Sequence, residues 1–162
     1  MDNFVDTHPM RSAFIGNRLQ RLVDTISEQG DALLDAQGLK FRAAACSTVL
    51  LLHQAGELTT ADIGRALGQP HQLVAQRAQA LNRQGLIVRV SDSEDGRRKL
   101  LVLTEKGRRQ AALLEKLLAD SAVAFAHLQQ QLELDLFAIA DQVQAALALQ
   151  PLSERVAAVR GD

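Results

Sequence analysis

Polar side chains with the chemistry to contact nucleic acid recur at helical spacing in the stretch 71–79. On a helical wheel, Gln72, Ala75 and Gln76 fall on one side, with His71 near the start. A glutamine can pair with adenine through two hydrogen bonds, and a small alanine can meet a thymine methyl group. His71 can donate to a base or a phosphate. The alternative interpretation is a solvated polar face that binds nothing.

A second cluster is the basic run that follows Asp95 and a glycine. An arginine suits the narrow, negative minor groove, so Arg97 is the expected minor-groove residue. Asp95 can hold Arg97 in place through a bidentate pair. Arg98 and Lys99 are expected beside phosphates. The alternative is a hairpin tip charged only for solubility.

Two short helices must position the first cluster. Thr59 is predicted to cap the first helix, with Asp62 three residues later, and Gly68 to close it. Pro70 suits the first position of the second helix, which is predicted to run to about residue 84 and stop at Gly85. Its apolar stripe faces the rest of the domain and consists of Val74, Ala78 and Leu81.

A hairpin must position the second cluster. The β-branched residues within 86–90 favour a strand. A polar tip with a glycine follows, and residues 100–103 are expected to form the returning strand. Glu57 and Leu58 are expected to add a short third strand. Two helices joined by a tight turn and followed by a hairpin indicate a winged helix-turn-helix, which is a DNA-binding arrangement.

The charge of the chain is concentrated where DNA would lie. The whole chain carries −1, but residues 59–109 hold ten lysines and arginines against five acids, a local net charge of +5 that leaves −6 for the rest. The placement of positive charge matters more than the chain total.

Two helical segments with apolar stripes flank the winged region, one from about residue 10 to 34 and one from 111 to 149. Interruptions are expected near Gly30 and within 129–131. The segment 41–53 is apolar nearly all round, which predicts a buried central helix. Residues 1–9 show no periodicity and are expected to be loose.

We therefore expect a mainly α chain with a small β wing. Residues 10–37 and 110–150 would form a helical dimerisation region, 38–109 the DNA-binding domain, and 151–162 a tail. Burying both stripes against a second copy would give a symmetric dimer. The alternative is that the stripes only pad the core of a monomer.

Several other classes of protein are excluded or disfavoured. No apolar run approaches the ~20 residues of a membrane span, the N-terminal stretch lacks a basic region followed by an apolar core, and one cysteine fits a reducing compartment, so we expect a cytoplasmic protein. No cofactor is expected. The four histidines have no metal-site spacing, so no metal is expected. A phosphate loop and a GxSxG motif are absent, which argues against an enzyme. A helical interaction module without DNA binding is an alternative, but it leaves the basic wing unexplained.

Three motifs resemble the MarR family of bacterial transcriptional regulators. They are Leu81 followed four residues later by Gly85-Leu-Ile, the wing Asp95-Gly-Arg97, and Leu103-Thr-Glu-Lys-Gly107. The resemblance covers roughly residues 10–149. It implies a homodimer with interlocking terminal helices and a repressor-like role released by a small ligand or oxidant.

The resemblance and the wheel together give a set of expected contacts. The residues expected at DNA are Thr59, Thr60, His71, Gln72, Ala75, Gln76, Arg77, Asp95, Arg97, Arg98 and Lys99. A small-molecule effector is expected in the cleft between the dimer helices and the winged domain, near Phe14, Phe41 and His53. The family also contains peroxide sensors, but their reactive cysteine lies in the first helix and is assisted by tyrosines. Cys46 lies elsewhere and the chain has no tyrosine, so a buried, inert thiol is favoured over a redox switch.

Replacing the wing arginine tests the second cluster. Arg97→Ala is expected to lower DNA affinity by roughly 1–3 kcal/mol because a groove contact is lost, while folding and dimerisation stay intact. Fluorescence anisotropy at matched salt measures the change. Wild-type affinity in the variant would remove the wing tip from the DNA contact.

Overall fold

In a computed structural model, which describes residues 3–92, 95 and 98–161, the chain divides into two compact units, one ending at Lys116 and the other beginning at Leu117. The first unit contains helix α1 (Phe4–Thr7), a 3-10 turn (Arg11–Phe14), α2 (Ile15–Ala36), a second 3-10 turn (Ala43–Ala45), α3 (Cys46–Ala55), β1 (Glu57–Thr59), α4 (Thr60–Leu67), α5 (His71–Arg83), β2 (Ile87–Ser91), β3 (Lys99–Leu103) and the start of α6 (Glu105–Leu132). The second unit contains the rest of α6, α7 (Leu136–Leu149) and α8 (Leu152–Arg160). Among the described residues, no helix is long and apolar enough to cross a membrane.

The helix-turn-helix forms where the local sequence predicts it. The Thr59 hydroxyl accepts from the Asp62 backbone N–H at 3.1 Å, and the Asp62 carboxylate accepts from the Thr59 backbone N–H at 3.2 Å, which completes a capping box. Gly68 ends α4 with a left-handed φ of 61°. Pro70 takes the N-cap position of α5 instead of the predicted first helical position, and its carbonyl accepts from the N–H groups of Leu73 and Val74 at 3.0 and 3.2 Å.

A three-stranded antiparallel sheet, in the order β1-β3-β2, follows the helices within the described residues. Glu57 and Val88 both face Val102 from opposite sides of the central strand. The third strand predicted at Glu57 and Leu58 is confirmed. The winged helix-turn-helix predicted from the sequence is confirmed as well, with a mostly helical chain and a small β wing.

The start of α6 packs directly on the end of α5. The Thr104 backbone N–H donates to the Leu86 carbonyl at 2.9 Å, the Thr104 hydroxyl donates to the Gly85 carbonyl at 2.8 Å, and the Gly107 N–H donates to the Thr104 hydroxyl at 3.0 Å. A methyl group at Gly107 would lie 2.0 Å from the Leu86 carbonyl oxygen. Only glycine therefore permits this approach.

The first unit closes an apolar core around these elements. The side chains of Val74, Ala78 and Leu81 are fully buried, which confirms the inward stripe of α5. The other buried apolar side chains of this unit are Leu34, Leu39, Phe41, Ala45, Val49, Leu52, Ile63, Leu86, Ile87, Leu100, Leu101, Leu103, Ala111 and Leu114.

The N-terminal third differs from the sequence prediction in three places. Residues expected to be loose form α1, because the Asn3 side chain accepts from the Val5 N–H and caps it. The helix α2 continues through Gly30, where the absence of a side chain leaves room for Ala43. A Cβ built on Gly30 would lie 3.2 Å from the Ala43 Cβ. The central helix begins only at Cys46, after the 3-10 turn, and not near residue 41.

The C-terminal third also differs. The break predicted at 129–131 lies at 133–135, where Glu133 has a φ of 52° and the Asp135 carboxylate caps α7 by accepting from the Ala138 N–H at 2.9 Å. Gln129 stays helical and its side-chain oxygen accepts from the Leu136 N–H at 2.8 Å. The segment after Pro151, for which the sequence indicated no structure, forms α8.

Substituting the glycine at the α5–α6 contact tests its role. Gly107→Ala is expected to lower the free energy of unfolding by about 3 kcal/mol, because the new methyl overlaps backbone atoms that cannot move independently. Urea unfolding followed by circular dichroism measures it. Gly16→Ala is the control, because Gly16 in α2 has nothing within 4 Å of a built Cβ and should be neutral or slightly stabilised. Equal stability of the two variants would contradict the close contact.

Candidate nucleic-acid interface

The outer face of α5 has the arrangement predicted from the helical wheel. His71, Gln72 and Gln76 are exposed and Ala75 is half-buried, whereas the opposite stripe is buried. This face forms one side of a shallow depression whose lining residues are Gln72, Ala75, Gln76, Gln79, Asn82 and, from β2, Arg89. The structure thus brings the three predicted contact residues Gln72, Ala75 and Gln76 together on one open surface.

Arg77, an expected DNA contact, also has a contact within the chain. Its guanidinium Nη1 donates to the Gln69 side-chain oxygen in the turn before α5. The side chain is half-buried, and its Nε is buried without a hydrogen-bond partner among the described residues. Arg77 therefore joins α5 to the turn of the helix-turn-helix.

Thr59 and Thr60 lie at the N-terminus of α4. The Thr59 hydroxyl donates to the Asp62 carboxylate at 2.5 Å and is thereby engaged in the capping box. Thr60, the first residue of the helix, is half-buried. Because the charged Asp62 carboxylate already lies at this end of α4, the predicted DNA contacts of Thr59 and Thr60 stay predictions.

One ion pair joins the base of the wing to α4, and a second lies within the wing. The Arg98 guanidinium lies 3.3 Å from the Asp92 carboxylate and 3.8 Å from that of Asp62, and the Arg98 N–H donates to the Asp95 carbonyl at 2.9 Å. The Lys99 ammonium donates to the Ser91 hydroxyl of the neighbouring strand at 2.7 Å. Arg97 lies outside the described residues, so its predicted groove contact stays a prediction.

Asp62 is the acidic centre of this arrangement. Its hydrogen bonds from the Thr59 side chain and backbone, and then Arg65 at 3.1 Å, hold the pKa of its carboxyl below the usual range. The carboxylate therefore stays charged as it caps α4 and faces Arg98. Sequence reasoning found the cap but missed the ion pair, because nothing local marks a contact 36 positions apart.

Cys46, which was expected to be buried, is half-buried. Burial, and then the nearby Asp31 carboxylate, raises the pKa of Cys46 to about 11. At pH 7 only about one such thiol in ten thousand is ionised, and the thiolate is the reactive form. This pKa argues against the redox switch considered as an alternative.

The three residues expected at an effector pocket do not share a cavity. Phe14 lines a cavity of about 450 Å³ near the N-terminus and stacks edge-on with Phe4 and His8, at centroid distances of 6.4 and 5.6 Å. His53 lines another cavity of about 390 Å³, walled by Leu52, Gly56, Glu57, Val102, Leu103 and Arg108. Phe41 is buried and lines neither.

Known proteins share both a sequence family and a fold with this chain. The family model described as "MarR family" matches residues 37–98. A structure of the transcriptional repressor CouR bound to a 23-mer DNA duplex shares 28% identity and a TM-score of 0.57, and the match covers 87% of this chain and 94% of that one. A search of curated protein sequences found no match.

Two further structures share the fold. The MepR–DNA complex of S. aureus has a TM-score of 0.63 at 22% identity, covering 86% of this chain and 96% of that one. The adhesin competence repressor AdcR of Streptococcus pyogenes has a TM-score of 0.55 at 23% identity, covering 83% and 95%. The winged region, residues 37–98, thus matches the MarR family model, and the chain shares the fold of these transcription regulators, two of which are bound to DNA.

Proposed function

We propose that this chain acts as a homodimeric repressor that binds an inverted-repeat operator and is released by a small-molecule effector. The observation that carries the proposal is the exposed face of α5, where Gln72, Ala75 and Gln76 project from a helix held by a buried stripe and a capped neighbour. A rigid helix that presents amides and a methyl group suits direct reading of A·T pairs in the major groove. A repressor of chromosomal genes would work in the cytoplasm.

Charge supports DNA as the partner. Ten bases and five acids lie in residues 59–109, whereas the rest of the chain is acidic. The binding free energy of such a surface comes largely from counterions that phosphates release, so affinity should fall steeply with salt. A helical interaction module without DNA binding would show no such dependence.

Exposed apolar faces support the dimer. On α2, Leu19, Leu22 and Ile26 are 53%, 47% and 40% exposed, and on α7 Ile139 and Val143 are 44% and 51% exposed. Further exposed apolar side chains are Ile15, Val23 and Leu33 on α2, Leu136 and Leu147 on α7, and Leu152, Val156 and Val159 on α8. Apolar patches of this extent mark protein interfaces, and a second copy is the commonest partner for helical stripes.

A two-fold dimer constrains the operator. Two α5 helices can enter successive major grooves on one face of the duplex only when the half-site centres lie about 10 bp, or roughly 34 Å, apart. An inverted repeat with this spacing is therefore the expected target.

The cavity at His53 supports effector release. Its walls come from the end of α3, from β1 and from β3. β1 leads directly into the cap of α4, and β3 is the returning strand of the wing. A ligand seated there would touch both strands next to the DNA-binding elements, so it could change DNA affinity without contacting DNA.

In vitro selection tests the specificity of α5. Purified chain is expected to enrich an inverted repeat from a random duplex pool. Gln72→Ala and Gln76→Ala should weaken binding to the enriched site while leaving random-duplex affinity unchanged, because lost base contacts affect only specific binding. Gln144→Ala, on α7, is the matched control. Equal loss on both duplexes would make these glutamines backbone contacts instead.

A charge on the exposed stripe of α7 tests the dimer. Val143→Glu is expected to shift the chain toward monomer and to weaken DNA binding indirectly, because a carboxylate would be buried without a partner in the interface. Analytical ultracentrifugation at micromolar concentration measures it. Gln142→Glu adds the same charge off the stripe and should leave the dimer intact. A wild-type chain that is monomeric yet binds the selected duplex would contradict the dimer.

A further inference from the structure

Arg89 is a base on β2 that the predicted DNA contacts do not include. Its side chain lines the same depression as Gln76, Gln79 and Asn82, at the C-terminal end of the amide face of α5. Arg89 is exposed, and in the described part of the chain its guanidinium has no hydrogen-bond or ion-pair partner. Such a cation beside a row of amide side chains is suited to bind an anionic chain that lies against α5.

Most described bases of this region are already engaged in contacts within the chain. The engaged bases and their partners are Arg65 with Asp62, Arg77 with Gln69, Arg98 with Asp92 and Asp62, Lys99 with Ser91, Lys106 with the Gln84 carbonyl, Arg108 with Glu105 and the Leu103 carbonyl, and Arg109 with Glu105. Arg83 is the other described base of residues 59–109 without such a partner. Arg89 differs from Arg83 in sharing the depression with the amide face.

We propose that Arg89, assisted by Asn82, is a phosphate-binding site that holds α5 against the DNA backbone at the edge of the major groove. The inference rests on the proposed DNA-binding function. Asn82 supplies an amide N–H donor and Arg89 a charged fork of donors, which is the chemistry that binds a phosphate oxygen.

The length of α5 places Asn82 and Arg89 near the DNA phosphates and not near the bases. Asn82 is ten positions after Gln72, which separates them by about 15 Å along the helix axis. The major groove is about 12 Å wide, and the N-terminal residues of a recognition helix are the ones that reach base edges. With Gln72 and Gln76 over the bases, Asn82 and Arg89 therefore lie over the phosphates that border the groove.

Salt titration with a duplex of about 30 bp and arbitrary sequence tests the site, because phosphate contacts need no operator. The variant Arg89→Gln is expected to bind roughly tenfold more weakly at about 0.1 M salt, and its plot of log affinity against log salt should be flatter by about 1.8 for a dimer that loses two contacts. Arg89→Lys keeps the charge and should keep the wild-type slope. Arg160→Gln, in the last turn of α8, removes the same charge elsewhere and should also match wild type.

The outcomes separate this inference from the proposed function. A wild-type chain that binds the duplex without salt dependence, or not at all, would overturn both. A steep wild-type slope that Arg89→Gln leaves unchanged would overturn only the phosphate site. Weaker binding of Arg89→Lys and Arg89→Gln with unchanged slopes would also overturn it, since that pattern indicates a structural role. Asn82→Ala is expected to weaken binding several-fold without changing the slope, because the lost donor is uncharged.

Discussion

The close approach of Gly107 to the Leu86 backbone is the contact on which the DNA-binding unit depends. One residue separates β3 from α6, and Leu86 lies between the end of α5 and the start of β2. A single contact between Gly107 and Leu86 thus fixes the recognition helix, both wing strands and the next helix at one point. Thr104 satisfies the carbonyls of Gly85 and Leu86 there, so the junction is tight without an unpaired polar group.

A second junction at Asp62 joins α4 to the base of the wing. The same carboxylate caps α4 and faces Arg98 at the base of the wing. Ion pairs on an exposed surface contribute little free energy, so the value of this one lies in geometry. It links α4 to Arg98, immediately before β3, while the face of α5 stays open.

The sequence predicted the parts of the structure that depend on local chemistry. The cap at Thr59, the left-handed Gly68 and Gly85, and the β-branched residues of β2 all act within a few residues, so their patterns are visible in one chain. The break near Asp135 was displaced because glutamines continue a helix as easily as they end one. The pairing of Arg77 with Gln69 could not be predicted at all. It depends on the angle between two helices, which no local pattern specifies.

Contacts within the chain, such as that of Arg77 with Gln69, change how the positive charge of residues 59–109 is interpreted. A count of bases treats every arginine alike, yet most of the described ones also have a partner within the chain, and the positive potential that they create remains. The paired bases therefore still attract a duplex, whereas Arg83 and Arg89 have no partner among the described residues. The acidic remainder of the chain complements this division, because its exposed stripes on α2 and α7 are suited to a second copy and its net negative charge is unsuited to phosphate. Polarity and charge together thus separate a basic, polar surface from exposed apolar stripes.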